Sequence, residues 1–227
     1  MNKRLIATSA TSCALFIAAA GAFAADFDNP PMPSGYYLAV SGGLVQIFDI
    51  DTDAPALSTL TGPGDMEFDY GGRGAIAVGK YLADNVRAEI EFAGSSTGAD
   101  SFDPDGAASF GIDGSLRVYS LLAKLDYEME IFSWWHPYVG VGIGGAVVDV
   151  HDIGPGGSSL DGTDFVFAGA VEGGSKFTLS DTVDLFTQTQ LMVLSDVEVD
   201  FDAGAGLEGT LNSPLILSSS IGLRIKF

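Results

Sequence analysis

Polar and apolar residues alternate along much of this chain. From Val86 to Phe92, one face takes Val86, Ala88, Ile90 and Phe92, and the other takes Arg87, Glu89 and Glu91. A period of two marks a β-strand whose two faces meet different surroundings. Val139, Val141 and Ile143 alternate in the same way with Tyr138, Gly140, Gly142 and Gly144. Near the end, Ile221, Leu223, Ile225 and Phe227 alternate with Ser220, Gly222, Arg224 and Lys226. No stretch after residue 25 holds a 3.6-residue period between caps, so essentially no helix is predicted there.

Eight such runs are predicted, at about 35–48, 66–82, 86–95, 114–127, 137–150, 164–179, 183–199 and 215–227. Their connections alternate in kind. Ala83-Asp84-Asn85 and Ser180-Asp181-Thr182 are tight polar turns, and Met129 to His136 is a slightly longer one. Residues 49–65, 96–113, 151–163 and 200–214 are long and rich in Asp, Gly, Ser and Pro. Long and short connections in turn predict an up-and-down antiparallel barrel, with both termini at the short-turn end.

Alternation alone does not separate a barrel in lipid from one in water, where the apolar face turns inward. The predicted strands are long enough for the roughly 9–11 tilted residues that cross a bilayer. Aromatic residues also gather at strand ends. Tyr36, Tyr81, Tyr127, Trp134, Trp135, Tyr138, Phe177 and Phe227 fall near the short-turn rim, and Phe48, Phe68, Tyr70, Phe92, Phe165 and Phe201 near the other. Two aromatic bands around an aliphatic middle are expected at the two membrane–water interfaces. The prediction is therefore an all-β, eight-stranded antiparallel up-and-down transmembrane barrel over residues 35–227, in contact with outer-membrane lipid.

The first residues read as a leader. Lys3 and Arg4 precede an apolar stretch from Leu5 to Phe23, and Ala22-Phe23-Ala24 offers a small-x-small cleavage site. Thr8, Ser9, Thr11 and Ser12 break the run, which argues against a spanning anchor helix. The expected division is a cleaved signal peptide at 1–24, a short lead-in at 25–34 rich in Asp and Pro, and the barrel. Cys13 sits within the apolar run and is read as filling it. Export then leaves a chain without a disulfide, so closure of the sheet must supply stability.

Charge sharpens the picture. The chain has 30 Asp and Glu against 10 Lys and Arg, a net charge of −20, which argues against a nucleic-acid partner. So acidic a chain is usually disordered, yet its mean hydropathy is +0.29. Both hold only if charged and apolar residues are segregated. Asp49, Asp51, Asp53, Asp100, Asp103, Asp105, Asp152, Asp161, Asp200, Asp202 and Glu208 lie in the long loops. Glu89, Glu91, Asp126 and Glu172 fall on strands at positions assigned to the lumen, and Arg87, Lys124, Lys176, Arg224 and Lys226 share that parity. An eight-stranded lumen is just wide enough for its own side chains. These groups should pair, with Gln188 and Gln190 adding hydrogen bonds, because an unpaired buried charge is costly. Gly140, Gly142 and Gly144 should leave room for long side chains opposite. Lys80, near a rim, can snorkel to either side.

Candidate chemistry is sparse. Asp49-x-Asp51-x-Asp53 begins like a calcium loop, but Ala54 and Leu60 stand where Gly and Glu are required. Loose divalent-cation binding among the loop acids is the residual expectation, and no defined metal site is assigned. A Ser–His–acid hydrolase would draw on His151 with Asp149, Asp152, Ser158 and Ser159, or on His136; nothing marks a nucleophile elbow. Gly154–Gly157 and Gly140–Gly145 precede no helix, so they are not phosphate loops. No catalytic residues and no cofactor are expected.

The C-terminal run Ile221, Leu223, Ile225, Phe227 resembles the last strand of outer-membrane barrels, whose terminal aromatic is read by the barrel-assembly machinery. The eight strands, short turns, acidic long loops and terminal Phe together resemble the opacity-type family of small outer-membrane β-barrel (porin-like) proteins. Gly79-Lys80-Tyr81-Leu82-Ala83-Asp84-Asn85-Val86-Arg87-Ala88-Glu89 is similar to that family's first periplasmic hairpin. The short region with Gly71-Gly72 and Gly74 departs from it. The resemblance implies an outer-membrane protein of Gram-negative type, serving envelope structure or contacting surfaces through its loops. A narrow porin-like path for ions or small solutes is the alternative, and a lipid-modifying hydrolase a more distant one.

Overall fold

The computed structural model describes residues 35–48, 50–53, 64–104, 110–111, 113–154, 160–201, 207–211 and 213–227. The expected signal peptide and lead-in, residues 1–34, lie outside them, as do Asp49, Asp105, Ser158, Ser159 and Asp202. The described residues form thirteen strands and no helix. They are β1 (Tyr36–Ile47), β2 (Ile50–Asp53), β3 (Gly64–Phe68), β4 (Gly71–Ala83), β5 (Val86–Pro104), β6 (Phe110–Gly111), β7 (Asp113–Glu128), β8 (Trp135–Gly154), β9 (Leu160–Thr178), β10 (Val183–Leu194), β11 (Val197–Phe201), β12 (Leu207–Leu211) and β13 (Leu215–Lys226).

Eight of these close a ring. β1 pairs with β4, β4 with β5, β5 with β7, β7 with β8, β8 with β9, β9 with β10, β10 with β13 and β13 with β1, all antiparallel. The seam from first strand to last runs from Tyr37↔Lys226 to Ile47↔Ile216, and the Phe227 N–H donates to the Tyr36 carbonyl at 3.1 Å. Ring closure leaves no wall strand with an unpaired edge, the condition for a sheet to cross lipid.

The strands run further than their alternation predicts at the long-loop end. β5 continues to Pro104, β8 to Gly154, and β9 starts at Leu160. Above the rim, β3 pairs with β5, β2 with β3, β12 with β2, β11 with β12 and β9 with β11, so the loop strands extend part of the wall. The predicted run 66–82 is thus two strands, β3 and β4, separated at Asp69 and Tyr70. The run 183–199 divides into β10 and β11 at Ser195 and Asp196.

Alternation sorts side chains between two faces. In β10, Asp184, Phe186, Gln188, Gln190, Met192 and Leu194 are buried, whereas Thr187, Thr189 and Val193 are exposed. The outer face presents Ile76, Val78, Ile90, Leu121, Leu125, Val139, Val141, Ile143, Phe165, Phe167 and Val171, with Ile143 73% exposed. A contiguous surface of this kind is an aggregation hazard in water and the solvated face in hydrocarbon.

The interior has two layers. Toward the long loops, Val45, Ile47, Leu116, Val118, Leu122, Val148, Val166, Leu194 and Ile216 belong to one aliphatic cluster. Toward the short turns, the buried groups are Tyr37, Arg87, Glu89, Glu91, Lys124, Asp126, Glu128, Tyr138, Glu172, Lys176, Asp184 and Arg224.

Candidate functional site

Charged side chains converge in the polar layer, so it is the candidate site. Strand pleating puts every second residue of β5 inward, hence Arg87, Glu89 and Glu91 stand in a row. The same rule presents Lys124, Asp126 and Glu128 from β7, Glu172 and Lys176 from β9, and Arg224 from β13.

Lys124 is one hub. Its Nζ lies 2.9 Å from a carboxylate oxygen of each of Glu89, Glu91 and Glu172. Arg73 reaches Glu91 at 2.5 Å, and Gln188 and Gln190 donate to Glu172 at 3.0 and 3.2 Å. The Tyr37 hydroxyl donates to Glu89 at 2.8 Å. Glu128 is the second hub, holding Arg87, Lys176 and Arg224 together, with Arg224 at 3.0 Å. The Tyr81 hydroxyl donates to Glu128 and accepts from Lys176 and Arg224, at 3.2, 3.3 and 3.0 Å. Arg87 also faces Asp126 at 3.1 Å, and Lys226 pairs with Asp184 at 2.9 Å. A buried charge of either sign is tolerable only with such partners.

Aromatic rings brace the layer. Tyr37, Tyr138 and Phe186 each lie directly opposite a glycine of the next strand, at Gly79, Gly174 and Gly222. A Cβ at Gly174 would stand 2.6 Å from Tyr138 Cζ, so the ring occupies the space a side chain would take. Guanidinium groups cover these rings from the other side: Arg87 lies 4.3 Å from the Tyr138 centroid, and Arg224 4.6 Å from Tyr37 and 5.6 Å from Phe186. Glycine, ring and cation form a three-deep stack, with cation–π attraction at its top.

The interface assignment of two rim aromatics is corrected. Tyr138 and Tyr81, expected among the interface aromatics, point into the lumen. Tyr138 is buried with its hydroxyl donating to the Thr187 carbonyl at 3.2 Å, and Tyr81 joins the Glu128 hub. Both share the parity of their inward neighbours Gly79 and Gly140, which outweighs their position near a strand end. Tyr36, Tyr127, Trp134 and Phe227 are exposed, while Trp135 and Phe177 are half-buried in a ring stack. On the C-terminal strand Ile221 is exposed and Leu223 and Ile225 are half-buried. Lys80 is exposed, its ammonium 4.6 Å from the Tyr36 ring centroid.

Gly142 accommodates the Lys124 stem and Gly140 the Asp126 carboxylate, but Gly144 faces the Leu121 and Leu122 backbone instead of a long side chain. Four members of the layer escaped sequence reasoning. Tyr37 and Asp184 carry the inward parity of their strands and were readable. Glu128 falls one residue beyond the predicted end of its strand, and the glycines around Arg73 blur the alternation there.

Chemically the layer is paired and filled. Beside Arg73 and Gln190, where the two layers meet, a cavity of about 10 Å³ lined also by Ser95, Ser120 and Ser218 has room for about one water molecule. His136 and His151 both lie on β8, fifteen residues apart and so about 50 Å along a strand, too far to share a site. Among the described residues no group of three His, Cys, Asp or Glu is placed to hold a metal ion.

The structure resembles OprG of Pseudomonas aeruginosa (TM-score 0.59, 13% identity, covering 86% of this chain and 97% of that one). It also resembles Neisserial surface protein A (TM-score 0.54, 16% identity, 87% and 100%). The outer membrane protease OmpT of Escherichia coli matches at TM-score 0.51 and 8% identity, over 89% and 100%. At such identities the likeness concerns the fold alone. No curated protein sequence matches the chain. The family model described as outer membrane protein beta-barrel domain matches residues 10–215. The chain therefore belongs to the outer-membrane β-barrel domain family, and the bilayer that its apolar belt meets is the outer membrane.

Proposed function

We propose that this protein is a closed outer-membrane barrel of the opacity type, one that stiffens the envelope and offers its acidic loops for surface interaction. The filled lumen carries this reading. Conduction requires a continuous wet path, and here an aliphatic layer sits above an ion-paired one. Between them lies a space for about one water. Parting the polar layer would separate several buried ion pairs at once, each expensive to break.

The reading is tested by reconstituting the folded chain, minus its leader, into planar bilayers. No stepwise current is expected over hours of recording, from samples whose band shifts on heating in SDS gels. Unitary currents of constant size would overturn the closed-barrel reading in favour of a narrow channel.

A further inference from the structure

We propose that the Asp126 and Glu172 carboxyl groups together bind one proton at neutral pH, forming a proton site inside an otherwise ion-paired lumen. Strand register creates it. Asp126 of β7 and Glu172 of β9 both stand opposite Gly140 of the intervening β8. No side chain separates the two acids, and both lean over the glycine. A Cβ at Gly140 would stand 1.7 Å from Asp126 Oδ1 and 3.2 Å from Glu172 Cγ. The two carboxyls lie within hydrogen-bonding reach of each other. Asp126 is 1% and Glu172 7% exposed, so bulk water does not screen one from the other.

The groups around the pair leave their contact without a donor. Asp126 Oδ2 faces Arg87 at 3.1 Å, and Glu172 Oε2 takes Lys124, Gln188 and Gln190 at 2.9, 3.0 and 3.2 Å. Among the described residues, no hydrogen-bond donor reaches Asp126 Oδ1 or Glu172 Oε1. Two carboxylates that meet in a space closed to water repel each other, and each leaves an oxygen unsatisfied. One proton removes both costs, because the O–H of one acid then donates to the other. The nearby cations are already engaged. Lys124 is shared with Glu89 and Glu91, and Arg87 with Glu128. Arg224 of β13 stands beside Arg87 and is held by Glu128. Tyr138 of β8 also faces Glu172, but its hydroxyl is committed to the Thr187 carbonyl. From β10 the pair meets only the uncharged Gln188 and Gln190 among the described residues.

The folded chain is examined by infrared spectroscopy in an ester-free detergent, where no lipid carbonyl masks the stretch of a protonated acid. At pH 7 the wild type is expected to show one such band, shifted in heavy water. Asp126→Asn and Glu172→Gln should each abolish it, since either change leaves a single acid that ionises beside Arg87 or Lys124. Linkage gives a second reading. The native state holds a proton that the unfolded chain has released, so stability falls as pH rises. From about pH 5 to 7, the unfolding constant of the wild type should rise about tenfold per pH unit relative to that of Asp126→Asn. A wild-type spectrum without the band would overturn the proposal, whichever variants fold. A band that survives both substitutions would overturn it too, since it would belong to another acid. Stability that follows sodium concentration and not pH would place a metal ion between the two oxygens and equally overturn it.

Discussion

Removing the Glu128 carboxylate by Glu128→Ala is expected to cost the barrel about 3–5 kcal/mol of stability, the range for deleting one partner of a buried ionic cluster. The figure reflects what is left behind more than what is lost. Arg87, Lys176 and Arg224 come from β5, β9 and β13, and all three converge on this one side chain of β7. Without it, Arg87 retains Asp126 at 3.1 Å, while Lys176 and Arg224 share only the Tyr81 hydroxyl, at 3.3 and 3.0 Å. Like charges then face one another in a space closed to water. Glu128→Gln keeps an acceptor and the volume but not the charge, so its cost should fall between wild type and Ala. Glu130→Gln, two residues away and exposed, serves as the control and should stay within about 0.5 kcal/mol. Urea titration of the heat-shifting band in vesicles measures all three. Equal midpoints for Glu128→Ala and Glu130→Gln would mean that the hub does not hold the short-turn end together.

How much of this was legible in the sequence depends on depth in the membrane. Where one wall of a strand meets hydrocarbon and the other a polar lumen, alternation is strict. The row Arg87, Glu89, Glu91 and the series Lys124, Asp126 could therefore be assigned inward from sequence alone. In the outer half both faces are apolar: Val148 and Val150 point in while Ile143 points out. Hydropathy no longer separates the faces there, and only the count from a known residue does. Above the membrane, β2 and β12 fall wholly in stretches that read as loop, whereas β3 and β11 lie largely inside the predicted runs 66–82 and 183–199. Their pairing rests on backbone hydrogen bonds, which residue type barely records. The same limit hid Glu128, whose predicted strand stopped one residue short, and Arg73, set among glycines that belong to neither face.

Tyr138 shows a different failure. Its place near a strand end suggests the interface, yet it shares the parity of Gly140. Parity decides, because a one-residue slip would reverse every side chain of the strand. The partner glycine carries no such signal. Gly174 reads as a weak point in β9, while in three dimensions its missing Cβ is what lets the Tyr138 ring lie flat on the sheet.

Gly174→Val is accordingly expected to be among the most damaging single changes in the wall, worse than the roughly 1–3 kcal/mol typical of an overpacked core. The new Cβ would overlap the Thr187 backbone carbonyl and stand 2.6 and 2.7 Å from Tyr138 Cζ and Oη. The backbone of β10 is fixed by its ladders, so the ring must yield. Tyr138 is tied to the Thr187 carbonyl at 3.2 Å and covered by Arg87 at 4.3 Å, so its displacement also disturbs the contacts of Arg87 with Asp126 and Glu128. Gly174→Ala should show the same effect at lower cost. Gly169→Ala, on the same strand but with nothing within 4 Å of its added Cβ, should be neutral to about 0.5 kcal/mol. Folded yield and urea midpoint rank the three. Tyr138→Leu combined with Gly174→Ala should cost less than the sum of the two single changes, because the smaller side chain vacates the space that the Cβ enters. Strict additivity in that cycle, or equal costs for Gly169→Ala and Gly174→Ala, would show that the ring does not seal the glycine and that the stack is incidental to the wall.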